Sequence, residues 1–221
     1  MKSIFLKKND LKIEEIPVGK ILCLGKNYSE HAKEMGGDVP KSPIVFLKPS
    51  TAIADKDGKI EIPSISNELH HEVELVILIG KKGKNISKSD SQNYISGYGV
   101  GLDMTLRDQQ SIAKKEGNPW TIAKGFDTSA IFGTFIEKEK VSNPENLDIQ
   151  LTVNGIVKQK SNTSFMIFKI NYTISFLSQI FTLELGDLIF MGTPEGVGRV
   201  ISGDSLVGTI SGLPEVRAFV K

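Results

Sequence analysis

Apolar residues in this chain come in short bursts, and none of the bursts is longer than a β-strand. Ile21–Leu24, Ile44–Leu47, Leu75–Ile79, Tyr98–Leu102, Ile149–Val153, Leu188–Met191 and Leu206–Ile210 are such runs, separated by Gly, Pro, Asn and Asp clusters. Runs of that length bounded by turn residues predict strands rather than helices. Between Leu147–Val153 and Ile156–Gln159 stands Asn154-Gly155, a dipeptide that accepts positive φ at both central positions of a hairpin turn. Glycine makes up 21 of 221 residues, somewhat above the roughly 7% average, which suits many tight turns. Helical spacing is rarer. It predicts a short helix from Asn27 to Met35 ending at Gly36-Gly37, and a longer one from Thr105 to Glu116 ending at Gly117 with Pro119 beyond. A third, Ile170 to Phe181, carries apolar Ile170, Ile174, Leu177, Ile180 and Phe181. No repeat, low-complexity tract or linker breaks the chain, and Asn143-Pro144-Glu145-Asn146 is the best candidate surface loop. The expected fold is mainly β with a few helices (α+β), one domain over 1–221, with 1–18 as a short N-terminal extension.

Charge and cysteine content narrow the function classes. Lys plus Arg is 27 against 26 for Asp plus Glu, a net charge of +1. Nucleic acid as a main partner would show as a basic excess or stripe, so none is expected. Lys81-Lys82-Gly83-Lys84 reads as an exposed turn. Cys23 is the only cysteine. No internal disulfide can form, and its apolar neighbours place it in a buried strand, where thiols are inert. Absence of disulfides favours the cytosol or mitochondrial matrix. The apolar runs fall far short of the roughly 20 residues a spanning helix needs, so no membrane partner is expected. Lys2, Lys7, Lys8 and Asp10 leave no room for a signal-peptide core. A cytoplasmic location is the expectation.

The densest chemistry lies in His70-His71-Glu72-Val73-Glu74, which runs into the apolar Leu75–Ile79. On a strand Glu72 and Glu74 share a face, roughly 7 Å apart. A cation between them would offset the repulsion; a solvated strand end is the alternative. Asp103 follows the apolar run ending at Leu102 and precedes the predicted helix, so alone it reads as an N-cap. Taken with Glu72 and Glu74 it makes an all-oxygen set suited to Mg2+ or Mn2+. Three protein ligands on Mg2+ would leave about three positions for water and substrate, as a catalytic site requires. His70 and His71 read as orienting residues beside it rather than ligands, and a plain satisfied histidine is an equal reading of His70. His31 and Glu34 stand at i and i+3 on the first predicted helix. There a carboxylate would fix the imidazole tautomer and make a general base for water; an incidental surface pair is the other reading. The Gly36-Gly37 break would permit a mobile lid. Gly192-Thr193-Pro194-Glu195-Gly196-Val197-Gly198 has the glycine density of an anion-binding loop, without the Gly-Lys-Ser/Thr ending of a phosphate loop; a plain β-turn is equally compatible. Lys48, Arg107 and Lys124 sit in or beside apolar stretches, and buried cations need partners.

In order along the chain, Gly25-Lys26-Asn27-Tyr28 with His31, Phe46-Leu47-Lys48-Pro49, the Glu72/Glu74 segment, Asp103 with Arg107, Lys124, and Gly192-Thr193-Pro194 resemble the fumarylacetoacetate hydrolase family. The resemblance runs from about Ile21 to about Leu213 and is nearest to the short, single-domain branch of acylpyruvases and oxaloacetate decarboxylases. It implies a mixed β-roll, a homodimer, and Mg2+ or Mn2+ held by Glu72, Glu74 and Asp103. It implies Lys124 beside the metal, His31 and Glu34 as the water-activating pair, and Asn27, Lys48, Arg107, Gln110, Gly192 and Thr193 near the substrate. Lys26 departs from the arginine that many members carry and lacks its bidentate grip. The implied function is a metal-dependent hydrolase or decarboxylase that cleaves C–C bonds of small 2-oxo acids (acylpyruvates, oxaloacetate) through a stabilised pyruvate enolate. The alternatives are an isomerase or tautomerase of hydroxymuconate-type diacids or oxaloacetate on the same site, and a β module that holds a cation without turnover.

Overall fold

The computed structural model describes residues 2–9, 12–34 and 39–221. In chain order its strands are β1 (Ser3–Asn9), β2 (Lys12–Pro17), β3 (Ile21–Gly25), β4 (Ile44–Lys48), β5 (Lys59–Ile60), β6 (Leu69–His71), β7 (Val73–Ile79), β8 (Ile95–Asp103) and β9 (Thr105–Leu106). They continue as β10 (Ala130–Phe132), β11 (Phe135–Glu137), β12 (Asp148–Val153), β13 (Ile156–Asn162), β14 (Leu188–Phe190), β15 (Gly198–Arg199), β16 (Ser205–Ile210) and β17 (Val216–Val220). The helices are α1 (Ser29–Glu34), α2 (Arg107–Glu116), α3 (Thr121–Lys124) and α4 (Ile170–Ile180).

A nine-stranded mixed sheet runs β2-β1-β11-β8-β7-β14-β3-β4, with β10 also paired to β8. A five-stranded sheet runs β13-β12-β16-β17-β5, and a three-stranded one β15-β6-β9. β7 is buried at every position, as its continuous apolar run demands of a strand covered on both faces. Alternation sends Leu75, Ile77 and Ile79 into a core shared with Ile149, Leu151 and Leu206 of the five-stranded sheet and Ile170, Ile174 and Leu177 of α4. Val76 and Leu78 face a second core with Ile4, Leu6, Phe135 and Phe190. Opposite them β8 carries only glycine: Val76 pairs with Gly99 and Glu74 with Gly101. A Cβ on Gly99 would lie 3.0 Å from the Phe135 ring and one on Gly101 2.7 Å from the Phe190 ring. These glycines let aromatic rings lie on the strand. Asp103 is the next residue on that bare face, beside Glu74, so the strand period brings two acids together.

The seven expected strands are all present, and Asn154 (φ 52) with Gly155 (φ 77) turns the hairpin. Glu72 lies one residue before β7 and outside either strand, yet its O accepts from Asp103 N and its carboxylate meets that of Glu74, so the expected shared side is kept. Two local expectations need correction. Thr105–Leu106 pairs with β6 as β9, and the long helix begins only at Arg107; tertiary pairing overrides the local helical spacing. Asp103 ends β8 and pairs with Ala130, so it is not an N-cap. Strands β1 and β2, from the expected N-terminal extension, join the large sheet, β1 pairing with β2 and running parallel to β11. Helix α1 is described to Glu34; Met35 and the Gly36-Gly37 break lie outside the described residues.

Candidate metal centre

Glu72, Glu74 and Asp103 are buried, and one carboxylate oxygen from each lies within 4.8 Å of the others. Backbone bonds set this convergence. Asp103 N donates to Glu72 O at 2.8 Å, which fixes the gap between β6 and β7 against the end of β8. Gly192 N donates to Glu74 Oε2 at 2.6 Å.

Three cations answer two of the three acids. Lys124 Nζ donates to Glu72 Oε2 at 2.6 Å and to Asp103 Oδ2 at 2.8 Å. Arg107 donates to Glu72 Oε1 at 2.5 Å. Lys48 Nζ lies 2.7 Å from Asp103 Oδ1. Burial works against ionisation of Glu72, yet Lys124, then Arg107 and His31, outweigh it and hold the carboxyl below the usual range. Glu74 has no such cation in contact, so burial, then Asp103 and Glu72, push its carboxyl up. Burial opposes the charge on Lys124, but Asp103 and Glu72 prevail and raise its pKa. The Lys124 ammonium also stands 4.9 Å from the Phe46 ring centroid.

A cavity opens onto these acids. His31, Arg107, Gln110, Lys114, Lys124 and Thr193 line it, with Lys26, Phe46 and Trp120. A larger cavity of about 850 Å³ lies between β4 and the segment 118–121; its lining is mostly apolar and holds no cluster of acids, so the chemistry belongs to the narrower one. His31 Nδ1 is 3.0 Å from Glu34 Oε2, and Gly196 N donates to Glu34 Oε1 at 3.0 Å. With Nδ1–H given to the carboxylate, Nε2 is the basic nitrogen. The glycine-rich loop thus steadies the pair. Arg107 donates to Gln110 Oε1 at 2.6 Å, and its Nε is buried without a partner.

Several expected site residues serve the framework instead. Asn27 donates to Phe168 O and Met191 O and accepts from Phe168 N; its amide is used up on backbone and does not line the cavity. Lys48 is buried behind Asp103, donating to Met104 O and Lys124 O, so it balances charge from beneath. Gly192 presents its N–H to Glu74, so the carboxylate that this loop receives is the protein's own. Thr193 borders the cavity, but its hydroxyl donates to Val73 O at 2.9 Å. His71 pairs with Gln159 and His70 with Glu68; neither orients the three acids directly. Gln159, Phe46, Lys114 and Trp120 were not foreseen. Gln159 turns inward because the β12–β13 register shifts, Leu151 facing Gln159 and Thr152 facing Val157, a bulge that sequence alternation does not reveal. Lys114 carries the one available signal, its spacing of seven from Arg107.

Residues 20–221 match the family described as fumarylacetoacetate (FAA) hydrolase C-terminal. The chain is 48% identical over 202 residues to the mitochondrial oxaloacetate tautomerase FAHD1 of Arabidopsis thaliana, covering 91% of each chain. It is 48% identical over 201 residues to the mitochondrial oxaloacetate decarboxylase of Dictyostelium discoideum, covering 90% of this chain and 92% of that one. Among solved structures, fumarylpyruvate hydrolase from Pseudomonas aeruginosa in complex with Mn2+ and pyruvate superposes with a TM-score of 0.91 at 38% identity, covering 99% of this chain and 95% of that one. Sequence, fold and acid cluster agree, and the chain belongs to the fumarylacetoacetate hydrolase family.

Proposed function

We propose that this chain is a Mg2+- or Mn2+-dependent enzyme that cleaves C–C bonds of small 2-oxo acids, by hydrolysis of acylpyruvates or decarboxylation of oxaloacetate. The observation that carries the proposal is the meeting of three buried carboxylate oxygens within 4.8 Å at a cavity that also receives His31. The donor set fits such an ion: it is all carboxylate oxygen, the choice of hard divalent cations. Glu72, Glu74 and Asp103 would hold it. Bound there, the ion supplies Lewis acidity to a 2-oxo oxygen that gains negative charge.

The remaining work falls to side chains around the cavity. Arg107, steadied by Gln110, offers its unpartnered Nε to a substrate carboxylate. Lys124, between Glu72 and Asp103, keeps the acid cluster from carrying an uncompensated charge. In hydrolysis His31 takes a proton from water while Glu34 stabilises the imidazolium that results. Decarboxylation needs no attacking water, so it does not need His31 as a base.

His31→Ala tests the proposal. Acylpyruvate hydrolysis should fall by about 10²–10⁴-fold, the usual worth of a general base, and oxaloacetate decarboxylation far less. Equal loss of both contradicts the role given to His31. No turnover of either substrate with Mg2+ or Mn2+ contradicts the proposal as a whole. A second reading, keto–enol tautomerisation of oxaloacetate, draws support from the tautomerase relative. Enol disappearance without release of carbon dioxide or pyruvate distinguishes it. We extend the proposal to a homodimer, supported by exposed apolar Leu47 on the sheet-edge strand β4 and Ile122 on α3; light scattering measures it.

A further inference from the structure

Helix α2 delivers more to the cavity than Arg107 and Gln110. Positions 107, 110 and 114 follow the i, i+3, i+7 spacing of one helix face, and all three side chains line the cavity. Lys114 stands about 10 Å along the helix axis from Arg107, outward from the acids. Its ammonium lies over the indole of Trp120, 5.3 Å from the ring centroid, where a cation is held without being neutralised. Trp120 is itself fixed by Phe46, with ring centroids 5.9 Å apart. Lys26, on the turn after β3, borders the same cavity.

The cations of this cavity divide into two groups. Lys124 and Arg107 are bonded to Glu72. Lys114 and Lys26 have no ion pair among the described residues, although other surface lysines of the chain do, as Lys33 does with Glu30 and Lys82 with Glu184. The cavity therefore runs from acids at its inner end to unneutralised cations at its mouth. Loss of solvation, then the neighbouring charges of Arg107 and Lys26, push the Lys114 ammonium down to about 8. A negative group arriving at the mouth relieves that crowding. A ligand with a 2-oxo carboxylate at the unpartnered Nε of Arg107 and a second carboxylate at the mouth meets a cation at each end.

We propose that Lys114, seated over Trp120 at the cavity mouth, is a specificity-determining residue that receives a second anionic group, so that the site selects 2-oxo dicarboxylates over 2-oxo monocarboxylates. The inference rests on the proposed binding of 2-oxo acids in this cavity and adds the residue that reads the far end of the ligand. No bond is made or broken by Lys114; it acts by charge alone.

The test uses Mg2+-loaded full-length protein and two probes that lack a cleavable β-carbonyl group, 2-oxoglutarate and 2-oxopentanoate, with Kd measured by titration calorimetry. They share a five-carbon chain and differ in one terminal carboxylate. Wild-type protein should bind 2-oxoglutarate at least tenfold tighter. Lys114→Met should cut that ratio at least fivefold, whereas Lys115→Met, one residue along the same helix and outside the cavity, should leave it within twofold. A wild-type ratio below ten, a smaller effect of Lys114→Met, or an equal effect of Lys115→Met overturns the role of Lys114, and leaves the proposed function standing so long as one of the acids binds. Absence of binding by both acids defeats the reading of the cavity itself, and this inference with it.

Discussion

Gln159 Nε2 donates to Thr193 Oγ1 at 2.8 Å, and this bond ties the β12–β13 hairpin to the loop that holds Glu74. The amide is saturated. Its second Nε2 hydrogen goes to Pro194 O at 2.9 Å, and Oε1 faces Val73 N and His71 Nδ1, each at 3.1 Å. Gln159→Glu would remove two donors and leave an oxygen facing Pro194 O in a buried setting. A loss of about 3 kcal/mol is expected, seen as a fall in Tm of roughly 6–12 °C for a chain of this size. Calorimetric melting checks it, and an unchanged Tm would show that the network is slack.

Lys124 occupies the ground between Glu72 and Asp103 that a divalent ion would share. Lys124→Met removes the ammonium shared by Glu72 and Asp103 but leaves Arg107 on the one and Lys48 on the other, so the loss should stay below the roughly 3–5 kcal/mol of a buried charge left without any partner. In EDTA the variant should unfold at markedly lower urea than wild type. Added Mn2+ should then stabilise the variant more than the wild type, because the resident cation no longer competes. Equal stabilisation of both proteins contradicts that competition.

Dicarboxylate affinity should depend on pH through Lys114. Its neighbours are Arg107 on the same helix, Lys26 after β3, Lys124 on α3 and Glu72 between β6 and β7, and with the loss of solvation they bring its pKa to about 8. The protonated form attracts the second carboxylate. Affinity should therefore be flat below about pH 7 and fall as pH rises through 8, while the monocarboxylate lacks that decline. Kd values for 2-oxoglutarate and 2-oxopentanoate between pH 6.5 and 9.5 settle the sign.

Cys23 should be chemically silent in the native protein. It is fully buried in β3 between the pairing strands β4 and β14, and burial, then Asp103, push its thiol up. A disulfide reagent should leave native protein unlabelled and titrate one equivalent once it unfolds in urea. Labelling at a rate independent of unfolding would place the thiol at the surface.

The parts of this protein that could be read directly from residues are those with a local cause. Leu75–Ile79 announces a core strand because both its faces are apolar, and Asn154-Gly155 announces its turn because few dipeptides tolerate two positive φ values. The order of motifs from Lys26 to Thr193 carries the family, and the family carries the acid set. What stayed hidden depends on distant pairing. Thr105 and Leu106 fit a helix until β6 claims them. Asn27 looks like a ligand contact until Phe168, 141 positions away, takes its amide. Lys48 differs from a substrate-binding lysine only in standing behind Asp103 rather than before it.

The interruption between β6 and β7 at Glu72 has a mechanical meaning. β6 on one side belongs to the three-stranded sheet and β7 on the other to the nine-stranded sheet, so the acid cluster straddles a seam. An ion gripped there clips one sheet to the other, and cofactor loading becomes a fastening step as well as a chemical one. Stripped of its ion, the enzyme should loosen first along β15-β6-β9, where faster amide exchange would report the seam coming apart.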